Sequence, residues 1–224
     1  MPASRRRRQD SAAPARPVVA NGVDKRERIL SAAEDLFYRN GLVGTTMDML
    51  CAELGVTKPY VYYYFKDKQE IVETLAWRAS LACLTTMRFP AGDTRPAAEK
   101  LAEGLQRWVA ACVMHFRASA LAFRVTASLR PEFRAELRRL ANAFYADLAA
   151  LMEQGRHEGR LDFEDAAVTA KAMGGAVGFM YTWYRPDGRL PPEQLAERLT
   201  GTLYRMIGLR PTPRKRTPTT RKRT

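Results

Sequence analysis

Residues 45–64 read TTMDMLCAELGVTKPYVYYY, and the spacing within them decides the fold. Cys51 is small, Gly55 follows four residues later and Val61 six beyond that. A small residue where two helices touch, a glycine for the sharp turn and an aliphatic residue that locks the second helix onto the first make a helix-turn-helix. Thr45, with Asp48 three residues on, opens the first of the pair, whose buried face is Met47, Leu50, Cys51 and Leu54. Gly55 breaks it. The second starts at Thr57 and runs through Tyr64, with Pro59 in the first turn, where its missing N–H costs little. Such a pair also occurs in proteins that touch no DNA, so the exposed chemistry has to decide. Between Leu54 and Lys66 there is no acidic residue, whereas Thr57, Lys58, Tyr60, Tyr62, Tyr63, Tyr64, Lys66 and Lys68 supply donors, positive charge and flat rings. Short donors and lysines near a helix amino terminus suit phosphates and base edges in the major groove of double-stranded DNA. Helical spacing assigns Tyr64 and Phe65 to packing, and Tyr60, Tyr62 and Tyr63 to the DNA side.

The same reading extends outward in both directions. Upstream, Ile29, Ala33, Leu36 and Phe37 fall on one face of a helix that Asp24 and Glu27 open as a capping box and that Asn40-Gly41 closes. Downstream, Asp67 and Glu70 cap a fourth helix. From residue 75 to 210 long Ala, Leu and Arg runs show no alternating strand pattern, and the spacing predicts helices over 95–116, 118–129, 131–154, 164–184 and 192–207. The chain is expected to be all-α. Its units would be a helix-turn-helix domain over 23–70, a larger helical domain over 71–209, and basic tails at 1–22 and 210–224.

Composition bounds this reading. The chain has 224 residues, 46% of them apolar, and a net charge of +13. That charge sits in the tails: residues 1–20 carry five arginines against one aspartate, and residues 210–224 carry seven Lys or Arg and no acid. Both tails are rich in Pro, Thr, Ala and Arg, bury too little apolar surface to offset ordering entropy, and are expected to be disordered. They add salt-sensitive attraction to phosphate or serve solubility, while the body must supply any specificity. The residues 166–184 are the longest apolar candidate for a span but carry Lys171 and several glycines, so no membrane segment is expected, and the amino terminus shows no apolar leader core. A cytoplasmic location follows as an expectation. Cys51, Cys83 and Cys112 are odd in number and set among apolar neighbours, as small hydrophobes without a disulfide.

At residues 24–78, DKRERILSAAEDLFYRNGLVGTTMDMLCAELGVTKPYVYYYFKDKQEIVETLAWR, the chain resembles the amino-terminal domain of the tetracycline-repressor (TetR) family of bacterial regulators. The resemblance implies that Thr45 and Thr46 meet phosphates at the start of the second helix. Thr57, Lys58, Tyr60 and Tyr63 would face the groove, with Tyr62 and Lys68 on the backbone. Cys51 stands where the family usually has Ala, and Pro59-Tyr60 where it often has Gly-Thr, which changes what reaches the base edges. The family's second domain implies a ligand cavity and a homodimer through the last two long helices. Ala172, Gly174, Gly175, Ala176 and Gly178 would make the penultimate helix narrow enough for that approach, or for a tight monomer core. A palindromic operator matches such a two-fold dimer.

For the cavity, Trp108, Cys112, Phe116, Phe123, Phe144, Met173, Val177 and Met180 are apolar residues on central helices. The segment 178–188, GFMYTWYRPDG, looks like a branch of the family that answers to acyl-CoA thioesters; Trp183 and Arg185 would stack on an adenine and pair with phosphate, or end a helix at the dimer rim. The implied function is a repressor that leaves its operator when a small lipophilic effector binds. An enzyme is not expected: His115 and His157 stand alone, no Cys or His cluster has metal-ligand spacing, and no Gly-rich phosphate loop or nucleophile elbow appears. No cofactor or metal is expected. The alternative is a non-specific nucleic-acid-binding protein held by its basic tails.

Overall fold

The computed structural model describes residues 18–210, with side chains from Asp24 onward. Within them the chain is helical and without strands. The first four helices are α1 (Val18–Gly44), α2 (Met47–Leu54), α3 (Lys58–Tyr64) and α4 (Lys68–Leu84). They are followed by α5 (Ala97–Met114), α6 (Phe116–Val125), α7 (Pro131–His157), α8 (Ala166–Gly178), α9 (Met180–Trp183) and α10 (Pro192–Met206). A 3-10 turn at Thr126–Ser128 joins α6 to the approach of α7.

Local chemistry places most of these ends. Gly55, at φ 64°, takes the left-handed conformation that ends α2, and Val56 N–H returns to the Cys51 carbonyl at 3.0 Å. Asp67 accepts from Glu70 N–H at 2.7 Å to cap α4, a contact type worth about 1 kcal/mol. Two expected starts are corrected. Asp24 does not open α1, which begins at Val18; Glu27 instead holds Arg78 of α4 through two 2.7 Å hydrogen bonds. Thr46, not Thr45, caps α2, its hydroxyl accepting from Met49 N–H at 3.2 Å. The stretch 164–184 is also not one helix but α8 and α9, broken at Phe179. The expected tails lie outside the described residues, apart from 18–22, which are helical, and Arg210.

Two cores result. Ile29, Leu36, Phe37, Leu50, Val61, Phe65, Ile71, Val72 and Leu75 gather α1–α4 into one, which α6 completes with Leu121 and Val125. The second joins α5, α7, α8 and α10 around Leu101, Leu105, Trp108, Phe144, Leu148, Met152, Met173 and Leu203. α4 enters both: its first half feeds the former and Cys83 the latter, so the boundary expected at residue 70 falls inside a continuous helix. Polar contacts tie the halves together. Arg117 of α6 pairs with Asp35 of α1, and Arg130 at the start of α7 pairs with Asp67 at 2.9 Å and Glu73 at 3.1 Å.

Candidate functional site

The corner between α1 and α2 fixes the presentation of the helix-turn-helix. Gly41, at φ 72°, breaks α1, and the carbonyls it frees need donors. Thr45 provides one, its hydroxyl lying 2.8 Å from the Gly41 carbonyl and 3.2 Å from that of Leu36. Lys68 provides the rest, its ammonium donating to the Leu42 carbonyl at 2.9 Å and the Thr45 carbonyl at 2.7 Å. Thr45 is therefore only 2% exposed and its hydroxyl is consumed inside the protein, which corrects its expected place on a phosphate. Lys68 is half-buried and acts as a strut between α4 and this corner.

Most of the remaining expected DNA residues are exposed at the start of α2, on α3 and in the turn between them. Thr46, Thr57, Lys58, Pro59, Tyr62 and Tyr63 are all exposed, Tyr63 by 82%. Among the described residues the Thr57 side chain makes no cap bond, and it is exposed. The Lys58 ammonium sits 2.7 Å from Asp48 of α2, whose hydrogen bond and charge push the lysine pKa up. Tyr60 is half-buried, its ring 5.5 Å from that of Tyr64 and packed on the first core, so it lines the edge of the face. Phe65 is buried beneath the Arg26 guanidinium at 4.2 Å, and Tyr64 is half-buried, as spacing assigned them. What the face presents is hydroxyl donors, an ammonium and flat phenol rings around two helix amino termini, the groups that meet phosphate and base edges.

Beneath this head lies a cavity of about 370 Å³ lined from α4, α5, α6, α7, α8 and α9. Of the residues expected in it, Trp108, Cys112, Phe116, Phe123, Val177 and Met180 line it. Phe144 and Met173 do not; they are fully buried behind the wall, Phe144 packing on Trp108 at 4.8 Å. The reason is register on α7: residues 134, 138, 141 and 145 face the cavity, whereas 140, 144, 148 and 152 face the second core. Trp183 and Arg185 are likewise not in the lining. Trp183 is 55% exposed, and Arg185 donates to the Tyr184 carbonyl at 2.9 Å, because the break at Phe179 turns the chain out of α8's line before it reaches them.

Sequence reasoning missed Cys83, Ser119, Arg134, Arg138, Tyr145 and Tyr181, all of which line the cavity. The i, i+4, i+7, i+11 row on α7 was a signal that could have found three of its residues. The small residues of α8 divide by side. A Cβ at Gly174 would meet the Tyr145 ring carbons at 2.8 and 2.9 Å, and one at Gly178 would meet the Phe123 ring at 2.7 Å, so both glycines admit cavity-lining aromatics from within the chain. Val168, Ala172, Gly175 and Phe179 instead run along the outer face, where a Cβ on Gly175 meets nothing. The cysteines are free buried thiols; hydrogen bonding to Cys83 and burial push the Cys112 pKa well up. Among the described residues no group of three metal-ligating side chains gathers, and no single helix is long and apolar enough to cross a membrane.

Two family models match. Residues 29–75 match the bacterial regulatory proteins of the tetR family, and residues 94–207, half of the chain, match the tetracyclin repressor-like C-terminal domain. The chain belongs to the TetR family. TetR proteins of known structure share its fold: PfmR of Thermus thermophilus superposes with a TM-score of 0.71 at 24% identity over 80% of this chain and 97% of that one. AibR, solved in complex with isovaleryl coenzyme A and operator DNA, gives 0.65 at 22% identity over 80% and 98%. By sequence, the transcriptional repressor BepR of Brucella suis is 35% identical over 60 residues, 27% of this chain and 29% of that protein. The chain matches less than half the length of the curated relatives, and the matched families and relatives are transcriptional regulators rather than enzymes.

Proposed function

We propose that this TetR protein is a sequence-specific repressor: a homodimer on a palindromic double-stranded DNA operator, released when a small lipophilic effector fills the cavity. The observation that carries the reading is the exposed face of Thr57, Lys58, Tyr62 and Tyr63 on α3, which shares the first core with α4 and α6, and both of those helices also wall the cavity. Both helices therefore enter the core beneath the head and the cavity wall. The outer stripe of Val168, Ala172, Gly175 and Phe179 on α8, with exposed residues of α10 beside it, supports dimerisation through these two helices. Two heads then read two half-sites one helical turn or a multiple apart. An acyl-CoA is favoured among effectors by the isovaleryl coenzyme A complex of AibR, although Trp183 and Arg185 lie away from the cavity. The tails would add affinity and salt dependence without choosing the site.

Selection of preferred sequences from random DNA tests this directly, with wild type beside a Lys58→Ala, Tyr63→Ala variant and a form lacking both tails. The expected result is a palindrome that the tail-less form retains and the double variant loses. Binding that survives the substitutions, shows no preferred site and vanishes with the tails would replace this reading by the non-specific one.

A further inference from the structure

The cavity carries charge that an apolar pocket does not need. No Asp or Glu lines it, yet two arginines do, Arg134 and Arg138, one turn apart on α7. Among the described residues neither has an ion-pair partner, although neighbouring arginines do: Arg130, the N-cap of α7, holds Asp67 and Glu73, and Arg139 holds Glu136. Arg134 is half-buried and Arg138 exposed, whereas Trp108, Phe116, Val177 and Met180 are each no more than 5% exposed. The arginines thus stand at the rim and the apolar lining lies within. Arg134, half-buried at the edge of an apolar cavity, gives up part of its hydration, a loss that an anionic ligand group would offset, and Arg138 beside it adds a second positive charge. A guanidinium presents a planar fork that fits a carboxylate or phosphate through two parallel hydrogen bonds. The Cys112 thiol, with its pKa raised, stays neutral and leaves the interior uncharged.

We infer that the effector is an anionic amphiphile, with its apolar chain among Trp108, Phe116, Val177 and Met180 and its carboxylate or phosphate on Arg134 and Arg138. This deepens the ligand-responsive reading above and rests on it. It also places the polar end on α7 instead of at Trp183 and Arg185.

Calorimetric titration of the full chain with decanoate, decyl phosphate and 1-decanol, three ligands of one chain length and different heads, tests it. At least one anion should bind about tenfold tighter than the alcohol, the strength of a charge-assisted pair, and which anion wins identifies the head group. In an Arg134→Gln, Arg138→Gln variant the anion should fall to the level of the alcohol, while alcohol binding and the melting temperature stay unchanged. Equal binding of acid, phosphate and alcohol, or an anion preference that outlives both arginines, overturns the anionic assignment and leaves the cavity reading standing. Failure of all three ligands to bind overturns both.

Discussion

Lys58 has two competing partners. Its ammonium is 2.7 Å from Asp48, and both side chains are more than half exposed, so the pair does little for stability. Its consequence is for binding: a carboxylate beside the leading cation of α3 must be displaced before that cation reaches phosphate. Replacing Asp48 with asparagine keeps the shape and removes the competitor. Asp48→Asn should raise operator affinity about threefold to tenfold and steepen the salt dependence by up to about one counterion, with an unchanged melting temperature. Anisotropy titrations across a salt series measure both quantities. An unaltered affinity and slope would mean that Lys58 does not meet the DNA backbone. The neighbouring threonines show what sequence leaves open at this scale. Thr45 and Thr46 are the same residue type at one helix start, yet the carbonyls freed at Gly41 draw only Thr45 inward.

Among the helices, α8 holds the clearest division of labour. Gly174 faces inward onto Tyr145, which lines the cavity, so an added methyl has to displace an aromatic ring packed on Phe144. Gly174→Ala should cost about 1–3 kcal/mol in urea unfolding despite the better helix propensity of alanine. In a Tyr145→Ala background the same change should cost under about 0.5 kcal/mol, because the clash is gone. Equal costs in both backgrounds would show that Tyr145 is not what the glycine accommodates. The glycines of α8 were visible in the sequence, but which of them serve the interior was not, since that depends on rings contributed by α6 and α7. Helix positions were legible because apolar periodicity and caps are local. The break at Phe179 was not, because no proline marks it, and the start of α1 was passed over although Pro17 stands directly before Val18. The cavity was half legible: Trp108, Cys112, Phe116 and Phe123 on α5 and α6 were read, while Ser119 and the α7 row of Arg134, Arg138, Ala141 and Tyr145 were passed over because they do not stand out as large apolar residues.

Across the molecule, α7 connects the two sites. Its first residues meet the head at Arg130, whose guanidinium holds both Asp67 oxygens at 2.9 Å and Glu73 at 3.1 Å while its N–H donates to Glu73. Asp67 is the cap of α4, the helix that Lys68 ties to the α1–α2 corner. One and two turns further along α7 come Arg134 and Arg138 at the cavity rim. On the proposed reading, a ligand drawn onto those arginines would bias the position of α7, and Arg130 would pass that bias to the frame that aims α3; by linkage, DNA would weaken the ligand by the same factor. Arg130→Lys tests the route while keeping a positive charge beside Glu73, because lysine lacks the fork that grips two carboxylates at once. Ligand affinity should be unchanged, and the factor by which saturating decanoate or decyl phosphate weakens operator binding should fall severalfold toward one. Operator titrations with and without ligand give that factor for both proteins. An unchanged factor would move the transmission to the other tie between the halves, Arg117 of α6 on Asp35 of α1.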